Sequence, residues 1–189
     1  MPVTSLTTAC KQRPGVARRS LALTVALVCA ALTACAGQPS AADWAGSVCS
    51  ALTPWRGAIS DLNTQAQAQM AAATTPEQTR TNLIALLDGA EGASERARAA
   101  VAAAGTPDVD GGAEVARRFV GALGAARDAY AHARREVEAL PTAEPTAFYN
   151  GVVATFATLN REYSAGALDT SSLDSVDLRR AFDEVDACR

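Results

Sequence analysis

The chain has 189 residues, of which 17 are basic and 20 acidic, and its formal charge is −3. Four basic residues precede Cys35 and all acidic residues follow it, so the remainder sets 13 arginines against 20 carboxylates, a charge of −7. An acidic surface repels phosphate groups, which argues against nucleic acid as a partner and against charge-driven binding to anionic lipid. The part after Cys35 has the usual size of one domain.

The first predicted element is an export signal. Basic residues within 11–19 precede an apolar run from Leu21 to Ala31, and the small-residue segment Leu32-Thr33-Ala34-Cys35 closes the run. The run is shorter than the ~20 residues that a membrane-spanning helix needs. The closing segment resembles a bacterial lipobox, in which the cysteine after the cut is joined to diacylglycerol. That resemblance implies that residues 1–34 are a lipoprotein signal peptide and that Cys35 is the lipidation site.

Two alternatives to the lipoprotein signal stay open, namely plain secretion and an uncleaved membrane anchor. Cys29 is a poorer modification site than Cys35, because the bulky Val28 precedes it. The segment Arg18-Arg19-Ser20-Leu21 matches a twin-arginine export motif only weakly, so the sequence leaves the export route open.

A lipidated Cys35 predicts where the rest of the chain resides. One acyl chain binds a membrane only marginally, whereas two chains hold a protein stably. Residues 35–42 then form a lipidated tether that spans at most roughly 25 Å, and residues 43–189 form the folded domain. We therefore expect a lipid-anchored protein on the extracytoplasmic face of the cell membrane.

The cysteines that remain after export predict a disulfide. Cys10 and Cys29 leave with the signal, and Cys49 and Cys188 are left in an oxidising compartment, where disulfides persist. A bridge between them closes a loop long enough to stabilise the fold by ~4–5 kcal/mol. The alternative is a pair of buried free thiols.

Apolar residues recur at three- and four-residue spacing through almost the whole domain, which predicts amphipathic helices. The first helix covers 44–70 and contains Pro54, which predicts a kink or short break near Thr53. The second begins with Thr75 as its cap and Pro76 at its first position, and ends at Gly105. No segment alternates as a half-buried strand does.

The second half of the domain predicts three more helices. The third covers 115–140, the fourth begins near Pro145, and a polar connection from Gly166 to Ser172 leads to a short last helix over 178–188. The fold class is therefore all-α, an up-down four-helix bundle with a short fifth C-terminal helix. The last helix can return along the bundle or lie across its base. Either path can bring the cysteine of the last helix to the first helix.

The domain is very rich in alanine and arginine. With the lipobox, this composition resembles the small uncharacterised alanine-rich lipoproteins of actinobacteria. The resemblance covers the signal, the lipobox and the composition, and it implies a location without implying an activity.

Candidate chemistry is sparse in this sequence. His132 is the only histidine, and it follows Asp128 by one helical turn, so we expect the two to pair on a solvated helix face. Haem ligation by Tyr130 and His132 is disfavoured because residues two apart point to different faces. The segment Asp108–Gly111 opens like a calcium loop but lacks the glutamate at the twelfth position, so it predicts a cap for the third helix.

We expect no enzyme activity, since no serine-nucleophile elbow or phosphate-cradling glycine loop is present. We also expect no metal site and no cofactor. The leading hypothesis is a membrane-anchored, non-enzymatic helical module that binds another envelope protein through one bundle face. The alternative is a small apolar ligand held between the helices. That ligand would lie among four aromatic side chains, which equally suit a hydrophobic core: Trp44, Trp55, Phe148 and Phe156.

Overall fold

A computed structural model of the protein describes residues 37–166 and 175–189. These ranges contain five α-helices, one short 3₁₀ helix and no strand, which confirms the all-α prediction. The signal, Cys35 and most of the predicted polar connection lie outside the described residues. The helices are α1 (Ala41–Ala72), α2 (Pro76–Ala103), α3 (Gly112–Ala139), α4 (Pro145–Gly166) and α5 (Val176–Glu184), followed by the 3₁₀ helix Asp186–Cys188.

Short polar side chains start three of the helices. The Thr75 side chain accepts a hydrogen bond from the backbone N–H of Gln78, with Pro76 at the first helical position, as the sequence predicts. Ser40 and Ser175 cap α1 and α5 in the same way. The domain is thus ordered from the cap at Ser40, inside the stretch that the sequence assigned to the tether.

Helix α1 continues through Pro54 as one helix, so the short break that the sequence predicted near Thr53, as the alternative to a kink, is absent. A proline inside a helix removes one backbone hydrogen bond, and contacts with a neighbouring helix can keep the helix continuous. Here the Nε1–H of Trp55 donates to the Ser94 hydroxyl of α2 at 3.1 Å. This contact fixes α1 against α2 directly after the proline.

The N-terminal cap of helix α3 lies within the segment Asp108–Gly111, as the sequence predicts. The cap residue is Gly111, with a left-handed φ of 72°, and no side chain caps the helix. The turn is held by backbone bonds instead, since the N–H of Asp108 donates to the carbonyl of Pro39 at 2.8 Å. The residue just before the α1 cap is therefore attached to the α2–α3 turn.

The first four helices run alternately up and down. At one end, called the base here, the Trp44 indole N–H donates to the carbonyl of Gly105 at 3.0 Å, which joins the start of α1 to the end of α2. At the opposite end, the top, Arg80 of α2 donates to the carbonyl of Leu140 after α3 at 3.3 Å. Helices α2 and α3 form the centre, with α1 packed on α2 and α4 packed on α3. This arrangement is the predicted helical bundle.

The bundle has two hydrophobic cores, one above the other. The lower core joins α1, α2, α3 and α5 through buried side chains that include Trp44, Val101, Phe119 and Leu178. The upper core joins α2, α3 and α4 through a second set that includes Leu87, Val137 and Leu159. Helix α4 has 22 residues against 28 in α3, and its last residue, Gly166, lies against Ala125, midway along α3. Helix α5 therefore completes the core below the end of α4.

The predicted disulfide between Cys49 and Cys188 is present. It joins α1 to the short 3₁₀ helix at the end of the chain, and the Cα atoms of the two cysteines are 5.0 Å apart. Next to it, the Phe182 ring of α5 stacks on Phe119 at a centroid distance of 5.6 Å. The C-terminal segment is thus fixed to the lower core by one covalent bond and by buried rings.

Candidate functional site

A groove separates α1 from α4 in the upper half of the bundle. These two helices flank the central α2–α3 pair and do not pack closely against each other. The cavity between them has a volume of about 270 Å³ and is half open to solvent. It borders the upper core, and we call it the α1–α4 groove.

Apolar side chains from three helices form the floor and sides of the groove. Leu87, Ala90 and Leu159 belong to the buried layer beneath it. Half-buried side chains raise the walls around that floor: Ile59, Leu62, Leu86 and Phe156. The side chains are placed by helical periodicity, since Leu86 and Ala90 lie one turn apart on α2, as Phe156 and Asn160 do on α4.

Four neutral polar side chains complete the lining. The hydroxyls come from Tyr130 on α3 and Tyr163 on α4, and the amides come from Asn63 on α1 and Asn160 on α4. The two tyrosine rings are tilted by 56° to each other, with centroids 6.0 Å apart. Within residues 37–166 and 175–189, no lining residue carries a charge at neutral pH. The groove thus combines an apolar floor with uncharged hydrogen-bonding groups.

The pKa values of the two tyrosine hydroxyls reflect the apolar character of the groove. Burial raises the pKa of Tyr130 to about 12, with a smaller contribution from the neighbouring Tyr163. Burial also raises the pKa of Tyr163. Both shifts have the same physical cause, because a low-polarity surrounding disfavours the charged phenolate. Both hydroxyls are therefore protonated over the physiological range and can donate as well as accept hydrogen bonds.

The four aromatic residues that the sequence grouped as a ligand site are not brought together. Trp44 is fully buried in the lower core, where its ring contacts Phe119 edge-on. Trp55 packs on the same core, whereas Phe148 is fully buried near the start of α4. Only Phe156 lines the groove. The predicted set of lining residues is therefore wrong. Helical periodicity indicates which face of its helix a residue occupies, but not how far along the bundle it lies.

His132 has a different partner from the one predicted. Its Nδ1 lies 2.9 Å from Oε1 of Glu162 on α4, and its Nε2 lies 3.4 Å from Glu136 one turn along α3. Asp128 pairs instead with Arg127. The predicted His132–Asp128 pair is therefore wrong, because a partner on the adjacent helix is closer than the one on the same helix.

Ion pairs join α2 to α3, the two central helices. Arg134 bonds to Glu91 at 3.1 Å, and Arg127 bonds to Glu95 at 2.8 Å. Glu95 also accepts from Arg98 at 2.6 Å. These guanidinium groups hold the pKa of Glu95 down to about 2. Each of these arginines is thus engaged with a carboxylate.

Within residues 37–166 and 175–189, no cluster of three or more histidine, cysteine or acidic side chains is placed to bind a metal ion. Among the helices described there, none has both the length and the apolar character to cross a membrane.

The sequence analysis missed the groove, although two weak signals were present. Leu62-Asn63 and Leu159-Asn160 each place an amide directly after a leucine that faces the core. Such an amide can mark the edge of an apolar seam. Their proximity depends on how α1 and α4 pack around α2, and no local pattern encodes that arrangement.

Comparison with protein-family models, with curated proteins and with solved structures finds no match for this chain. The functional argument therefore depends on the groove and on the features of the sequence.

Proposed function

We propose that this protein is a lipid-anchored, non-enzymatic binding protein on the extracytoplasmic face of the cell membrane, and that its α1–α4 groove holds a small apolar molecule. The observation that carries the proposal is the groove itself, with its apolar floor and four uncharged polar side chains. A concave, mostly apolar site with a few polar groups is the usual form of a small-molecule site. The lipobox at Cys35 supports the anchor and the location.

The size of the groove supports a small molecule over a protein partner. Its volume of about 270 Å³ is close to the lower end of the ~300–1,000 Å³ range of ligand pockets. A stable protein interface needs roughly 800 Å² from each partner, which extends far beyond this one depression. The groove alone therefore suits a molecule that enters it rather than a protein that covers it.

The position of the groove fits a protein anchored at its N-terminal end. Ile59 is 18 residues after the first residue of α1, which is roughly 27 Å along the helix at 1.5 Å per residue. The groove thus lies in the upper half of the bundle, away from the end at which residue 40 caps α1. A ligand would reach this site from the aqueous phase.

Native mass spectrometry of protein purified from the envelope tests the binding function. The expected result is a co-purifying mass on the wild type that is absent from Asn160→Trp, which fills the mouth of the groove at an exposed position. Asn150→Trp, also exposed and on α4, is the matched control and should retain the added mass. Repeated isolation of the wild type with no added mass would count against the proposal.

The lipid anchor has its own test. Cys35→Ser should move the protein from the membrane pellet to the soluble fraction, and the intact mass should lose the acyl increment. Firm retention of the variant in the pellet would contradict the anchor without bearing on the groove.

A second candidate function is binding to another envelope protein, and the outer face of α4 favours it. Val153 is 70% exposed and Tyr149 is 43% exposed, one turn apart on that helix. Crosslinking in intact envelope through a photoreactive residue at position 153 should recover one reproducible partner. Recovery of no partner from repeated preparations, with a productive crosslinker, would remove this candidate.

A further inference from the structure

The volume of the α1–α4 groove limits the size of its ligand. An apolar protein cavity of ~150 Å³ holds one benzene ring. The groove measures about 270 Å³, nearly twice as much. By this comparison it accommodates roughly 10–12 non-hydrogen atoms, the size of two fused rings.

The dimensions of the groove favour a compact molecule over an acyl chain. Its α1 wall runs from Ile59 to Asn63, roughly 6 Å, and its α4 wall runs from Phe156 to Tyr163, roughly 10 Å. A membrane acyl chain spans half of a ~30 Å hydrocarbon layer, or about 15 Å, and would extend beyond both walls. The rings of Tyr130, Phe156 and Tyr163 offer faces and edges against which another ring can pack.

The electrostatics of the groove disfavour an anion. Among the described residues that line it there is no lysine or arginine, so a carboxylate or phosphate buried against them would have no counter-charge. On α3, Arg127 and Arg134 are not lining residues and are bound to carboxylates. The raised pKa of both lining tyrosines has the same origin, since burial in this groove penalises a charged group.

We infer that the ligand of the α1–α4 groove is a compact, neutral ring compound of roughly 10–12 non-hydrogen atoms that carries a hydroxyl, amide or similar uncharged polar group. This inference rests on the proposed function and adds the chemical class of the ligand. The hydrogen-bonding partners are the hydroxyls of Tyr130 and Tyr163 and the amides of Asn63 and Asn160. The ring of the ligand packs on the apolar floor of the groove.

Three probes of similar size separate the features of this class. Naphthol is neutral and cyclic, naphthoate is cyclic but anionic at neutral pH, and decanol is neutral but linear. Calorimetric titration of the full-length lipoprotein in detergent should show naphthol binding at least about tenfold more tightly than either of the others. Titration of each probe into the same detergent without protein measures partitioning into micelles, which is subtracted.

Conservative variants test the polar contacts. Tyr130→Phe removes one hydroxyl and should weaken naphthol binding by about two- to tenfold, the value of one neutral hydrogen bond. The chain has a third tyrosine, Tyr149, which lies outside the groove, with its hydroxyl 3.4 Å from that of Thr79. Tyr149→Phe is therefore the matched control and should leave the affinity unchanged.

The outcomes distinguish failure of the inferred ligand class from failure of the proposed binding function. Equal or tighter binding of naphthoate or decanol would overturn the class while the groove remains a binding site. Naphthol binding that survives Asn160→Trp would place the ligand elsewhere and also overturn the inference. Failure of every probe overturns the class, and failure of every probe together with a wild type that carries no co-purified mass overturns the proposed function as well.

Discussion

Cys49 of α1 and Cys188 of the C-terminal 3₁₀ helix form a disulfide across 139 residues of sequence. The segment that this bond holds is short: α5 has nine residues and buries only Leu178 and Ala181. An isolated helix of that length is marginal in water, so its stability depends on tertiary contact. Because Leu178 is also part of the lower core, the disulfide secures one wall of that core.

We expect Cys188→Ser to lower the free energy of unfolding by about 4–5 kcal/mol, because the unfolded chain regains the freedom of a very long loop. Urea denaturation monitored by circular dichroism measures the change. Reduction of the wild type should produce a similar loss and should leave the variant unaffected. A variant within about 1 kcal/mol of the wild type would show that the bridge contributes little.

A second prediction compares two glycines of α3. A Cβ at Gly112 would lie 2.2 Å from the carbonyl oxygen of Pro107, a backbone atom that side-chain repacking cannot move, whereas a Cβ at Gly121 would have no neighbour within 4 Å. Gly112→Ala should therefore destabilise the protein by about 1–3 kcal/mol. Gly121→Ala should stabilise it by up to about 1 kcal/mol, because alanine is the better helix former. Thermal unfolding of both variants beside the wild type checks the opposite signs, and a stable Gly112→Ala would contradict the close approach.

Local sequence signals predicted most of the helix boundaries. Thr75 and Pro76 start α2, Pro145 starts α4, and Gly105 follows the end of α2, as expected. Each of these residues acts through its own backbone or through a hydrogen bond within one turn, so the information is contained in a few neighbouring positions. The Cys49–Cys188 bridge was predictable for another reason, since the proposed signal cleavage and lipidation of Cys35 leave no other pair of cysteines.

The groove was not predictable, because it depends on lengths and packing angles rather than on motifs. Helices α1 and α4 flank the central α2–α3 pair without packing closely against each other, so the upper part of the bundle is left open between them. The same reasoning explains the misplaced aromatics: Trp44 and Phe156 each face inward, as periodicity indicates, yet they belong to different cores. His132 of α3 likewise contacts Glu162 on α4, and this contact exists only because these two helices pack together.

The third prediction concerns acid and Glu95. Hydrogen bonds from Arg98 and Arg127 lower the pKa of this carboxyl from 4.5 to about 2 in the folded state. A lowered folded-state pKa contributes stability that is present above pH 4.5 and is lost as the pH falls towards about 2. The urea midpoint of the wild type should exceed that of Glu95→Gln at pH 7, and the difference should vanish near pH 2. Glu144→Gln, at an exposed position before α4, is the control. A difference independent of pH would contradict the ion-pair origin.

The last prediction concerns alkali and the groove. Burial raises the pKa of Tyr130 to about 12 from an ordinary value of 10.0, so the folded protein holds this proton more tightly than the unfolded chain does. The corresponding stability is complete below pH 10 and is lost as the pH rises through about 12, the reverse direction to Glu95. Ultraviolet absorbance should show one tyrosine that ionises about two pH units above a free tyrosine, and Tyr130→Phe should remove that step. Tyr149→Phe, outside the groove, should leave the step in place. A wild type whose three tyrosines all ionise near pH 10 would show that water reaches the Tyr130 hydroxyl freely, and the groove would then lack the apolar character on which ligand binding depends.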